Sequence, residues 1–173
     1  MQITIRPGAR ADVPAVLALL DGATEWLVAR GQVEQWGTAP HSTSPRRVAQ
    51  ITGFATDGEL WVAELDGRVV GALAVGAAME YVPPADEPEL YVRLLVTDRA
   101  SAGRNLGGVL LDHARDLARA AGVRLLRVDC FAGGDGALVR YYEKQGFTRD
   151  AEFAVRRVNE PDWPGQLLVQ HLQ

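Results

Sequence analysis

The chain has 173 residues, 47% of them apolar and 23% charged, and a net charge of −4. A chain of that length can bury one substantial core, while the acidic balance argues against a general nucleic-acid binder, which needs a basic footprint. No apolar run is long enough to cross a bilayer, and the first residues lack the charged-then-apolar layout of a signal peptide, so a cytoplasmic address without a membrane partner is expected.

In chain order, residues 2–6 alternate as a first strand does. Asp12 stands where an N-cap would precede a helix whose apolar positions are Val13, Val16, Leu17, Leu20, Thr24 and Leu27, with Gly31 ending the run. A second helix is expected to begin with Ser44 as N-cap and Pro45 at its first position, where proline loses nothing. Glu59–Leu65 and Arg68–Ala77 read as a hairpin around Asp66-Gly67, because both turn positions need positive φ. Tyr81–Glu89 carries three prolines and reads as a loop. Then come a strand over Leu90–Thr97, a helix from about Asn105 to Ala121, a strand over Val123–Phe131, a helix over Gly136–Gln145, and strands over Phe147–Val158 and Gln166–Gln173. This order predicts an α/β (α+β) fold with helices on both faces of one mixed central sheet of about six to seven strands. The strand–helix–strand crossover after residue 90 predicts a parallel pair. With no repeat or linker in view, residues 1–173 read as a single domain.

The lone cysteine, Cys130, excludes an intramolecular disulfide and a thiolate metal cluster, and in mid-strand it reads as a small buried hydrophobe. His41, His113 and His171 lack metal-ligand spacing, so no metal is expected. The most informative stretch is Ala102-Gly103-Arg104-Asn105-Leu106-Gly107-Gly108, between a strand and a helix with the apolar stripe Leu106, Val109, Leu110, His113 and Leu117. Glycines there let a ligand approach the backbone, and the unpaired first amides of the helix, with its dipole, suit a diphosphate. Arg104 can add a charge-assisted bond. A glycine-rich turn with no ligand is the bland alternative. The stretch is neither a Walker loop nor a dinucleotide fingerprint.

A second constellation lies beyond the next strand. Gly136–Gln145 carries Leu138, Tyr141, Tyr142 and Gln145 on one helical face, with Gly146 as a left-handed stop and Phe147 anchoring the strand after it. Gly-Arg-Asn-Leu-Gly-Gly-Val-Leu-Leu, a strand, and Tyr-Tyr-Glu-Lys-Gln-Gly-Phe together resemble the coenzyme A-binding core of the GNAT acetyltransferases. The resemblance is close over about residues 90–155 and extends to the amino-terminal half in element order alone.

The resemblance implies an acyltransferase that moves an acetyl group from acetyl-CoA to a primary amine of a small molecule or peptide. The turn Ala102–Gly108 would hold the pyrophosphate, and Leu94, Leu95 and Val96 would offer main-chain groups to the pantetheine. The turn departs from the family pattern in having Ala102 for a basic residue and Asn105 for glycine, though asparagine tolerates the left-handed region. Asp135 stands where an asparagine touches the pantetheine. Tyr142 aligns with the tyrosine that protonates the leaving thiolate, a packed core aromatic being its alternative. A carboxylate must take the amine's proton. Glu89 is the first candidate, with Glu80 and Asp129 behind it, and a solvated surface residue is the competing reading of Glu89. For the acceptor, Trp26 and Trp36 could form a cage for a cation or simply pack the helices, and Tyr81 and Tyr91 could line the opposite wall. A homodimer would be in keeping with the family. A catalytically idle module that binds acyl-CoA or a partner is the alternative function.

Overall fold

The computed structural model describes Gln2–Gln173; Met1 lies outside the described residues. Seven strands are hydrogen-bonded in the order β1-β2-β3-β4-β5-β7-β6. They are β1 (Ile3–Pro7), β2 (Leu60–Leu65), β3 (Arg68–Gly76), β4 (Glu89–Thr97), β5 (Leu125–Phe131), β6 (Thr148–Val155) and β7 (Trp163–His171). The helices are α1 (Val13–Ala29), α2 (Pro45–Thr56), α3 (Leu106–Ala120) and α4 (Ala137–Lys144), with short 3-10 turns at Arg10–Asp12 and Arg99–Ser101. The residues form two compact units: the chain up to Val75 with Leu94–Asp112, and Gly76–Arg93 with His113–Gln173.

In the first unit, β1 runs antiparallel to β2 and β2 to β3. The hairpin turn is the left-handed pair the sequence calls for, with φ of 53° at Asp66 and 77° at Gly67. β3 is apolar on both sides because both are covered. Ala72 and Ala74 join Val62, Leu94 and Val96 under α1 and α2, together with Val16, Leu20, Ile51 and Phe54. On the other side Gly71 lets Leu110 of α3 press onto the strand; a Cβ there would stand 2.9 Å from the leucine Cδ1. α2 begins as expected: Ser44 accepts the Arg47 N–H at 3.3 Å, and Pro45 is its first residue.

Asp12 does not cap α1. Its carboxylate turns back, accepting the Ala9 N–H at 2.8 Å and pairing with Arg6 at 2.8 and 2.9 Å, so it closes the preceding 3-10 turn. A guanidinium six residues upstream outbids the local helix amides because its bond is charge-assisted at both ends.

In the second unit, β5 pairs with β4 in parallel, from Glu89↔Leu125 to Val92↔Val128, as the crossover rule requires. β7 inserts antiparallel between β5 and β6. It begins at Trp163, earlier than the Gln166 expected, because Pro164 and Gly165 lie within the strand rather than breaking it. Side chains alternate across a strand, so the registers define two faces. One carries Leu126, Val128 and Cys130 with Gln166, Leu168 and Gln170; the other carries Tyr91, Arg127, Asp129 and Phe131 with Gly165 and Leu167.

Candidate active site

The turn into α3 belongs to the first unit. Asp98 anchors its start: its N–H donates to the Val70 carbonyl at 2.8 Å, and its carboxylate accepts from Ala100 N–H at 3.1 Å and Ser101 Oγ at 3.2 Å. Ala102, Gly103, Arg104 and Asn105 are all exposed. Gly103 sits at φ 90° and Asn105 at φ 54°, so asparagine occupies the left-handed position that the family pattern gives to glycine. The first helical bond runs from Val109 N–H to the Asn105 carbonyl at 3.0 Å. The amides of Leu106, Gly107 and Gly108 thus precede the helix ladder, at the positive end of the dipole. A Cβ on Gly108 would overlap the Asn105 side chain, which folds back over it. A helix N-terminus with small residues at Gly107 and Gly108 and the exposed Arg104 nearby would fit a diphosphate. Leu94 and Val96 turn their side chains into the core.

Tyr142 is carried by α4 in the second unit, and both ends of that helix are fastened. At the start Asp135 accepts the Ala137 N–H at 3.0 Å and its carbonyl accepts from Arg140 at 2.6 Å. At the far end Arg115, buried in α3, donates to the Gln145 carbonyl and, at 2.7 Å, to Gln170 Oε1 on β7. The same guanidinium lies 5.7 Å from the Phe147 ring, which is edge-on to Tyr142 at 5.8 Å. This chain of contacts ties Tyr142 to the Cys130–Gln170 face. Burial, then the nearness of Cys130, Tyr141 and Asp129, pushes the Tyr142 phenol well above its ordinary range, so it keeps its proton at neutral pH. Burial and Asp129 push the Cys130 thiol up to about 12, which leaves it inert as a nucleophile.

The opposite face holds a carboxylate cluster. Asp129 accepts from Tyr81 Oη at 3.2 Å to each oxygen, and from Tyr91 Oη. Burial raises its proton affinity, against the lowering effect of the two hydroxyls. Glu89 lies on the same face but does not stand free. Arg127, 3% exposed, grips both its oxygens in a two-pronged pair and donates to the Pro83 carbonyl at 2.9 Å. Both oxygens of Glu89 are thus engaged by the protein's own guanidinium. Asp129, ranked behind it, is the acid held by neutral phenols. Strand periodicity places Arg127, Asp129 and Phe131 on one face, but nothing local brings Tyr81 to them.

Trp36 meets His41 edge-on at 5.3 Å and joins the core beneath α1 and α2. Trp26 is in contact with the Arg99 guanidinium at 3.7 Å and that of Arg30 at 4.1 Å, so its ring serves the protein's own cations. His41 is likewise structural: its Nδ1 accepts from Arg47 at 3.2 Å and its Nε2 lies 2.8 Å from Thr24 Oγ1.

A glycine-rich helix entrance following a strand, with a tyrosine-bearing helix beyond the next strand, is the order of elements on which the resemblance to coenzyme A-dependent acyltransferases rests. The chain belongs to the acetyltransferase (GNAT) family, whose sequence profile matches residues 20–147. It is 41% identical over 90 residues to a mycothiol acetyltransferase of Beutenbergia cavernae, covering 51% of this chain and 28% of that protein. It is 25% identical over 147 residues to YesJ, an uncharacterized N-acetyltransferase of Bacillus subtilis, covering 82% and 79%. In fold it is similar to Salmonella typhimurium yncA, solved with its cofactor acetyl-CoA, at a TM-score of 0.68 and 21% identity over 100% of this chain and 95% of that one. Among the described residues no helix is long and apolar enough to cross a membrane.

Proposed function

We propose that the chain transfers an acetyl group from acetyl-CoA directly to a primary amine, with Asp129 as the base and Tyr142 as the proton donor to sulfur. One observation carries the reading: within a single unit, a half-buried carboxylate of raised proton affinity and a protonated phenol address the two opposite faces of β5. The family profile runs from residue 20 to 147, through segments of both units. The donor found with yncA supports acetyl-CoA as the co-substrate.

When bound, acetyl-CoA supplies a thioester carbonyl reactive towards nitrogen. Every other requirement falls to residues of the chain. The amides of Leu106, Gly107 and Gly108, with Arg104, would hold the diphosphate, and the main chain of Leu94, Leu95 and Val96 the pantetheine arm. An alkylammonium has a pKa of roughly 10.4 and cannot attack until it loses a proton. Asp129 Oδ takes that proton, and its own desolvation makes it a stronger base than an exposed carboxylate. The Tyr81 and Tyr91 hydroxyls fix its orientation. The C–N bond forms as the C–S bond breaks, and Tyr142 Oη donates to the departing sulfur. A phenol above about 10 is a weaker acid than a thiol near 8.5, so the donation is mainly a hydrogen bond to the growing negative charge. The nitrogen gives up two protons in all: one leaves through Asp129 before attack, and the second, lost as the amide forms, balances the proton that the sulfur takes, so the products are the amide and the free thiol with one proton released.

The test is an acetyl-CoA-dependent thiol-release screen over a library of primary amines, paired with acetyl-CoA titration by calorimetry. The reading expects saturable acetyl-CoA binding and at least one amine that releases thiol in proportion to amide formed. Binding without turnover on any amine would favour an idle acyl-CoA-binding module.

A further inference from the structure

We infer that the acceptor is a singly charged amine with a flat aromatic body, its ammonium seated on Asp129 and its ring against a row of side chains on the same face. This rests on the proposed function, since it assigns the amine to the Asp129 side of β5.

The row is continuous. Tyr81, whose hydroxyl bonds to Asp129, has its ring 5.3 Å from Phe153; Phe153 is 6.3 Å from Trp163, and Trp163 is 5.7 Å from Phe131. Their interplanar angles are 33°, 43° and 45°, the tilted arrangement in which aromatic rings attract one another. The backbone makes space for them. A Cβ on Gly165 would overlap the Phe153 ring, and one on Gly133 would overlap the ring of Phe131. Gly165 pairs with both Phe131 and Phe153 across β5-β7-β6, so the rings lie over one bare stretch of strand. The row is also open to a visitor: Tyr81 is 42% exposed, and Phe153 and Trp163 are partly exposed.

A cation already sits on this face: Arg127 pairs with Glu89, lies within reach of the Asp150 charge, and has its guanidinium 5.5 Å from the Tyr91 ring. A second ammonium close to Asp129 would meet that guanidinium, while a single ammonium meets Asp129 and directs its body along the row. Offset ring contacts of this kind favour an aryl group over an alkyl chain of similar length.

The experiment uses the whole protein saturated with coenzyme A, which has no acyl group to transfer, and titrates 2-phenylethylamine, n-butylamine and spermidine by calorimetry. We expect 2-phenylethylamine to bind at least tenfold more tightly than n-butylamine, and spermidine no more tightly than n-butylamine. Trp163→Leu and, separately, the more exposed Tyr81→Leu should each cut the aryl preference to under threefold while leaving the acetyl-CoA affinity at the wild-type value, which also reports that the variants fold. Asp129→Asn should weaken all three amines at least tenfold. Spermidine binding as tightly as 2-phenylethylamine, undetectable 2-phenylethylamine binding, or an aryl preference that survives both leucine variants overturns the inference. A parallel thiol-release assay separates the two claims: if amines are acetylated without aryl preference, only this inference falls, and if none is, the acyl-transfer reading falls with it.

Discussion

Replacing Asn105 by alanine and by glycine isolates what the turn before α3 contributes. At φ 54° the residue lies in the left-handed region, which glycine enters freely and asparagine tolerates. Alanine there costs on the order of 1 kcal/mol relative to either. If the turn holds its shape, that cost appears as lost stability, about 2–4 °C in melting temperature for a chain of this size. If the turn relaxes instead, the cost is met on binding, and 1 kcal/mol corresponds to roughly fivefold weaker acetyl-CoA affinity. The two losses trade against each other, so melting temperature and calorimetric affinity must be measured on the same preparations. Asn105→Gly should show neither loss beyond the few tenths of a kcal/mol that a more flexible unfolded chain brings. Alanine and glycine variants that match in both stability and affinity would refute the claim that this backbone geometry builds the diphosphate cradle.

Tyr142→Phe should lower kcat by about a hundredfold, at the low end for a proton donor because the phenol is a weak acid, with acetyl-CoA affinity unchanged; steady-state kinetics with calorimetry checks both. Asp129→Asn should be more stable than the wild type at pH 7–8. The folded chain raises the Asp129 pKa above its unfolded value, so protonated Asp129 favours the folded state and its ionisation costs stability as pH rises through the folded value. The advantage of the asparagine variant should therefore shrink on acidification, and denaturant melts across pH would reveal a constant gap if the reasoning fails. Ser44→Ala removes the cap of α2 and should cost about 1 kcal/mol, a fall of roughly 2–4 °C in melting temperature with acetyl-CoA affinity intact.

The legible part of the sequence was the part that local chemistry decides. Asp66-Gly67, Ser44-Pro45 and Gly146 each impose a backbone conformation on themselves or a neighbour, and all three turned out as read: the hairpin turns at positive φ, Ser44 caps α2, and Gly146 at φ 99° closes α4. The order of elements and the parallel β4–β5 pair followed from the crossover rule. The surroundings of the carboxylates were hidden because their partners are distant. Arg127 lies 38 residues from Glu89 and meets it once β4 and β5 pair, and Tyr81 lies 48 residues from Asp129 and reaches it once the loop at 78–83 folds over the sheet. Asp12 failed in a similar way, since the capping pattern is blind to Arg6. The aromatic row escaped notice because the last strand, expected from Gln166, begins at Trp163, so the pairing of Gly165 with Phe131 and Phe153 was not in view.

The assignment of Asp129 as base is tested most directly by the pH dependence of kcat/KM for the wild type, Asp129→Asn and Glu89→Gln with one accepted amine. The wild type should show an acid limb, set by an acid above the ordinary aspartate range. That limb should stay in place in Glu89→Gln, while Asp129→Asn loses it together with at least a hundredfold in rate. A limb that vanishes with Glu89 and persists without Asp129 would contradict the assignment.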